Sequence, residues 1–160
     1  MKAVFKKALI VITSILCVGL VACATQEKTE TPAKLVVNLH YYAGTGYEWM
    51  NEAYTEEKDF PLECINVETV NEAEQGIVGG SLVDVYTYEA VSTGNTRLTF
   101  VLVRQWELPE GATLEDLAAM APEDLPEGAI VITADVTVND DGTILLTVEP
   151  SEYMDWFVIE

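Results

Sequence analysis

The sequence predicts an all-β fold: a β-sandwich with one short helical insertion and extra strands at its C-terminal end. Three observations carry that expectation. Short runs rich in β-branched and aromatic residues recur seven or eight times after residue 33. Gly, Asn, Asp and Pro turn signals separate them, and a single stretch, near residues 113–121, has the signature of a helix. Trp49, early in the second of these runs, suits a core position like the buried Trp of immunoglobulin-like sandwiches.

Residues 1–22 stand apart from this pattern. Lys2, Lys6 and Lys7 precede an almost wholly apolar run, Ala8 to Leu20, which is short for a bilayer span and reads as a secretory signal. Leu20-Val21-Ala22-Cys23 resembles a bacterial lipobox, which implies cleavage before Cys23, lipidation of its thiol and a place in the cell envelope, outside the cytoplasm. Removing the signal leaves five cations against 27 anions, a net charge of −22 for residues 23–160. Such a balance excludes nucleic acid as a partner, since phosphate contacts draw on Lys and Arg. It also argues against electrostatic attachment to anionic lipid, so acyl chains on Cys23 would have to hold the protein to the membrane. With Cys17 in the signal and Cys23 lipidated, Cys64 has no partner, and a chain of this size, expected to be a monomer, must rely on its core rather than on a disulfide.

In order along the chain, residues 23–33 are polar and aperiodic, a tether. The domain proper is expected over 34–160. Leu35, Val37 and Leu39 alternate with period two and open the first strand; a short strand follows near Tyr47–Met50. A charged turn around Glu56–Asp59 leads to a strand over Leu62–Val70, whose Cys64 is a half-buried residue pointing away from Ile65 and Val67. Asn71 to Gly80 is a polar loop. Ser81–Val91 and Thr96–Val103 are expected to pair as a hairpin around Thr93-Gly94-Asn95. Leu108-Pro109-Glu110-Gly111-Ala112 recurs as Leu125-Pro126-Glu127-Gly128-Ala129, two similar turns at the ends of the insertion, residues 108–128. Between them a helix is expected with Thr113 as its N-cap, Glu115 and Asp116 in its first turn, an apolar stripe of Leu114, Leu117, Ala118 and Ala121, and a stop before Pro122. Residues 129–160 supply the C-terminal strands: a hairpin of Ile130–Val138 with Ile144–Val148 across Asn139-Asp140-Asp141-Gly142, and an edge strand Tyr153–Ile159 anchored by Trp156 and Phe157, distant from the loops.

Three loops show features of a binding surface. Arg104-Gln105-Trp106 ends the strand-like run Thr96–Val103 with a cation and a bulky aromatic, residue types enriched in binding hot spots. Tyr42-Ala43-Gly44-Thr45-Gly46-Tyr47-Glu48-Trp49 and Gly76-Ile77-Val78-Gly79-Gly80 are the others. Together they resemble the chagasin family, proteinaceous inhibitors of papain-like cysteine proteases, whose pattern is an Asn-Pro-Thr-Thr-Gly-Tyr-x-Trp loop, a Gly-x-Gly-Gly loop and an Arg-Pro-Trp loop. Thr45, Gly46, Tyr47 and Trp49 match the first, Gly79 and Gly80 the second, Arg104 and Trp106 the third, in the family's order. Tyr42-Ala43 stands where the family has Asn-Pro, Gln105 where it has Pro, and no strand precedes Leu35 where the family's first strand is expected.

The resemblance implies an immunoglobulin-like sandwich that plugs a protease cleft reversibly with the three loops at one end. Gly44 and Gly46 would let backbone approach the catalytic residues, and Thr45 would lie small against them. Gly79 and Gly80 would follow a cleft wall, Tyr47 would belong to the contact surface, and Trp106 would supply apolar area with Arg104 as a donor fork. The departures at Ala43 and Gln105 remove stiffness that proline would give.

Catalytic chemistry finds no constellation. His40 lies in a strand with no nucleophile placed beside it, and no enzyme activity, cofactor or metal is expected. Asn139-Asp140-Asp141-Gly142 lacks the spacing and closing Glu of a calcium loop. A rival of another class is an adhesion or protein-interaction module that uses Tyr153–Ile159 as its edge.

Overall fold

The computed structural model of the protein describes residues 31–51, 60–72 and 80–160. The expectations for the signal, for Cys23 and most of the tether, for the turn at 56–59 and for Gly79 lie outside these residues.

Among the described residues eight strands form two antiparallel four-stranded sheets that face each other as a sandwich. One sheet runs in the order β3 (Leu62–Asn71), β4 (Ser81–Ala90), β1 (Lys34–Tyr42), β8 (Phe157–Ile159). The other runs β2 (Glu48–Asn51), β5 (Gly94–Val103), β6 (Ile130–Val138), β7 (Ile144–Glu149). The period-two alternation of β1 has the consequence expected of it: Leu35, Val37 and Leu39 are fully buried and meet Tyr86, Phe100, Ile132 and Phe157 in the core. Trp49 is buried there too, its indole N–H donating to the His40 carbonyl at 3.3 Å.

β5 is buried differently. Its six residues Leu98 to Val103 are all buried, without alternation. Leu98, Phe100 and Leu102 belong to the central core, whereas Val101 and Val103 pack with Leu117 in a second cluster. Leu117 comes from α1 (Leu114–Ala119), which therefore roofs the outer face of this sheet. Full burial of Leu117 contributes about 1.5–3 kcal/mol and pins the insertion in place. The helix begins as its sequence requires: the Thr113 hydroxyl accepts from the Asp116 N–H at 3.1 Å, and the Asp116 carboxylate accepts from the Thr113 N–H at 3.0 Å. The Thr113 hydroxyl also donates to the Asp116 carboxylate at 2.7 Å, and that bond, together with the one from the Thr113 N–H, holds the Asp116 carboxyl below its usual pKa.

Four expectations need correction. β4 and β5 are not a hairpin. They lie in opposite sheets, and Tyr86 and Phe100 meet across the core with ring centroids 6.2 Å apart. The short link between them is tied down to the carbonyl of Pro61, which accepts from the N–H groups of Val91 and Ser92 at 2.9 and 3.4 Å. Tyr86 and Tyr88 of β4 and Leu98, Phe100 and Leu102 of β5 share the central core, and setting the two strands in opposite sheets buries both sets. Second, the tail is a strand only over Phe157–Ile159; Ser151–Trp156 forms 3-10 turns. There the Trp156 carbonyl accepts from the Asn38 side chain at 3.4 Å, and the Tyr153 and Trp156 rings pack edge to face at 4.9 Å. Third, Trp156 is not distant from the loops: its ring lies 4.9 Å from His40 and 6.1 Å from Trp49. Fourth, a bulge at Ile65 resets the alternation of β3, so that Cys64 pairs with Tyr88 and Val67 with Tyr86 on the same face. Cys64 is half-buried as expected, and burial raises its thiol pKa.

The C-terminal strands complete both sheets. β8 pairs with β1 from Leu35↔Ile159 to Val37↔Phe157, taking the edge left bare by the polar residues before Lys34. The β6–β7 hairpin turns at Asn139–Gly142, with Gly142 at φ +79° and its N–H donating to the Asn139 carbonyl at 2.9 Å.

Candidate functional site

Strand register decides which loops share an end. Tyr42 pairs with Ser81, Asn71 with Leu82, Glu48 with Val103, and Leu102 with Ile130. The segments 43–47 and 104–129, and the described residues Glu72 and Gly80 that flank the second loop, therefore all lie at one end of the sandwich, and the short 43–47 link crosses from one sheet to the other there.

At that end the first and third loops interlock. The Arg104 guanidinium lies 4.4 Å from the Tyr47 ring centroid, its Nε donates to the Thr45 carbonyl at 3.1 Å, and its Nη1 reaches Glu107 Oε1 at 3.0 Å. The hydrogen bond to Glu107 raises the guanidinium pKa above its ordinary value, and the charge of Glu107 and Glu127 acts in the same direction. Gln105 adds a side-chain bond to Glu48 at 3.1 Å. The Trp106 ring lies against Gly46, where an added Cβ would overlap it. Trp106 remains 70 % exposed.

Within the first loop, Gly44 and Gly46 have φ of +82° and +80°, conformations that L side chains rarely adopt. Nothing lies within 4 Å of where a Gly44 Cβ would stand, so the backbone at the tip is open. The Thr45 hydroxyl folds back to donate to the Tyr42 carbonyl at 2.7 Å. The second loop joins through Gly80, whose carbonyl accepts from the Ala43 N–H at 3.0 Å. Gly44, Thr45, Gly46, Tyr47, Gly80, Arg104 and Trp106 are thus gathered at one end; Gly79 lies outside the described residues.

The insertion also reaches this end, which the sequence did not reveal. The two Leu-Pro-Glu-Gly-Ala segments form the same turn: Ala112 N–H donates to Pro109 and Ala129 N–H to Pro126, at 3.1 and 3.0 Å, with Gly111 at φ +81° and Gly128 at +77°. Only their surroundings differ. The Tyr47 hydroxyl donates to the Glu127 carbonyl at 2.6 Å, while nothing lies within 4 Å of a Cβ placed on Gly111. Beside this contact is an open cleft of about 400 Å³ lined by Arg104, Glu107, Leu117, Met120, Leu125 and Glu127 among others. His40, the lone histidine, lies against Trp156 with Nδ1 3.6 Å from Glu72. Among the described residues no three His, Cys, Asp or Glu side chains gather to hold a metal ion.

The family model described as chagasin family peptidase inhibitor I42 matches residues 30–116, just over half of the chain. This chain belongs to the chagasin family. Peptidase inhibition, directed at cysteine proteases, is therefore its general function. The chagasin match ends inside α1, so β6, β7 and β8 lie beyond it. No curated protein and no solved structure matches the chain.

Proposed function

We propose that this chagasin-family chain is a reversible inhibitor of papain-like cysteine proteases, displayed on the outside of a bacterial membrane by lipid on Cys23. The observation that carries the proposal is the interlock of Arg104 and Trp106 with Thr45, Gly46 and Tyr47. It makes two loops into one surface with an open backbone tip at Gly44 and a mostly exposed aromatic beside it. An inhibitor that enters a cleft needs such a surface already ordered, because ordering loops on binding costs affinity. In this reading Gly44, Thr45 and Gly46 approach the catalytic residues, Gly79 and Gly80 follow the cleft wall, and Trp106 is the anchor. Tyr47 and Arg104 bind chiefly by holding the other loops in place. The adhesion alternative has less to stand on. Phe157 is buried, and Trp156 and Tyr153 pack against the core, so the tail does not offer its aromatics to a partner.

The primary test is an inhibition constant for residues 24–160 against papain and several cathepsin-like proteases. Inhibition of none of them at micromolar concentration would refute the proposal. Gln105→Pro refines it. Arg104 is extended, at φ −88° and ψ 113°, as a residue before proline should be, and Gln105 opens a 3-10 turn, where proline's missing N–H matters least. The substitution is expected to leave the melting temperature unchanged or raised and to hold or improve inhibition, although the Gln105–Glu48 bond is lost. A tenfold weakening would show that this bond, rather than loop stiffness, matters at position 105.

Anchoring is tested separately. Cys23→Ala is expected to release the protein from the membrane fraction and to abolish labelling by a fatty-acid analogue. One acyl chain alone holds a protein only marginally, so firm attachment requires several. A variant that stays labelled and membrane-bound contradicts the lipid anchor and leaves inhibition untouched.

A further inference from the structure

We propose that the second Leu-Pro-Glu-Gly-Ala turn, residues 125–129, is a positioning element for the first loop, with Gly128 as the residue that makes it possible. The first loop has little stiffness of its own. Tyr42 to Tyr47 contains no proline, and both of its glycines adopt positive φ. Its order therefore depends on contacts from outside, and Tyr47 is where they meet. From one side the Arg104 guanidinium lies over the Tyr47 ring; from the other, the Glu127 backbone carbonyl accepts a hydrogen bond from the Tyr47 hydroxyl. That hydroxyl occupies the space where any side chain at position 128 would begin. Tyr47 directly follows Gly46, whose position against Trp106 and whose neighbour Thr45's bond to Arg104 fix the loop tip. The turn leads straight into β6, where Ile130 pairs with Leu102, and it follows α1, whose Leu117 is fully buried against β5. The 125–129 turn is thus fixed to β5 on both sides along the chain, by α1 before it and by β6 after it, and it meets Tyr47 beside the tip.

The repeat supplies its own control. Gly111 and Gly128 occupy equivalent places in identical five-residue segments, at φ +81° and +77°, so alanine strains the backbone comparably at either site. Only at Gly128 does the new methyl group displace Tyr47. What the loop does rests on the inhibitor proposal; whether the turn orders it does not.

The experiment compares Gly128→Ala, Gly111→Ala and Tyr47→Phe in the whole chain by melting temperature, amide hydrogen exchange across residues 43–47, and association rate with papain. Both alanine variants should lower the melting temperature, Gly128→Ala by more, because it also breaks the Tyr47–Glu127 hydrogen bond. Gly128→Ala should speed exchange of the Ala43 and Thr45 amides and slow association by roughly tenfold, whereas Gly111→Ala should match the wild type in both. Tyr47→Phe keeps the ring beneath Arg104 and loses one hydrogen bond, so inhibition should weaken by about fivefold. It also serves if Gly128→Ala does not fold. Equal loop exchange in the two alanine variants, or unchanged exchange in Tyr47→Phe, overturns the positioning role. If the wild type inhibits no protease, the inhibitor proposal falls, and the exchange comparison still decides this one.

Discussion

Replacing Trp106 with alanine is expected to weaken inhibition of a papain-like protease by roughly thirtyfold or more, with little change in melting temperature. The side chain is 70 % exposed and belongs to neither apolar cluster, so the fold has little to lose by its removal. An aromatic anchor at the centre of an interface typically costs ~2 kcal/mol or more when truncated, and each 1.4 kcal/mol is about tenfold in affinity. Truncation also uncovers Gly46, freeing a residue already at positive φ. The needed control loses stability far from the loops. Trp156→Ala does not serve, because that ring packs on His40 and Trp49 near the base of the first loop. Val138→Ala does: Val138 is buried and pairs with Gly94 and Ile144 at the opposite end of the sandwich. It should lower the melting temperature and hardly change the inhibition constant. Inhibition that survives Trp106→Ala, or that falls equally in Val138→Ala, would remove Trp106 from the contact surface.

Much of the fold was legible because its signals are local. Alternation in β1, the Asn139–Gly142 turn, and the Thr113 cap with Asp116 each depend on residues a few positions apart, and each formed as expected. The β4–β5 link was misread because its turn residues are equally compatible with a hairpin and with a crossing between sheets. The choice is made by long-range partners, β1 and β3 for one strand and β2 and β6 for the other. Burial of β5 on both faces was readable in the unbroken Leu98–Val103 run, but not that α1 would cover the second face. Of the site, the loop residues could be picked out by their types. The Tyr47–Glu127 contact could not, as it joins residues 80 positions apart through a backbone carbonyl that any residue would offer. The repeated pentapeptide was the available sign that residues near 128 had a structural task, and only the environments of its two glycines show which copy has it.

Truncation after Asp141 is expected to abolish cooperative folding, even though the residues that match the family end earlier, at 116. The deletion removes β7 and β8 and with them Ile144, Val148 and Phe157 from the central core, where all three are buried. At ~1.5–3 kcal/mol for each buried side chain the loss is roughly 5–9 kcal/mol, which is comparable to the whole stability of a typical domain, about 5–15 kcal/mol. Two further costs point the same way. β1 loses its β8 ladder and β6 its β7 ladder, leaving one bare edge on each sheet, with Leu35, Val37 and Ile132 no longer covered. Tyr153 and Trp156 leave as well, uncovering Trp49 and the first-loop end of β1. Thermal melting followed by circular dichroism should therefore show no cooperative transition in the truncated chain. The single substitution Phe157→Ala, which spares both hairpin strands, should lower the melting temperature while the chain still folds, because large-to-small changes at such sites cost ~3–5 kcal/mol. A truncated chain that melts at the wild-type temperature would mean that the sandwich is complete without its last two strands, and that β8 merely decorates an edge β1 does not need covered.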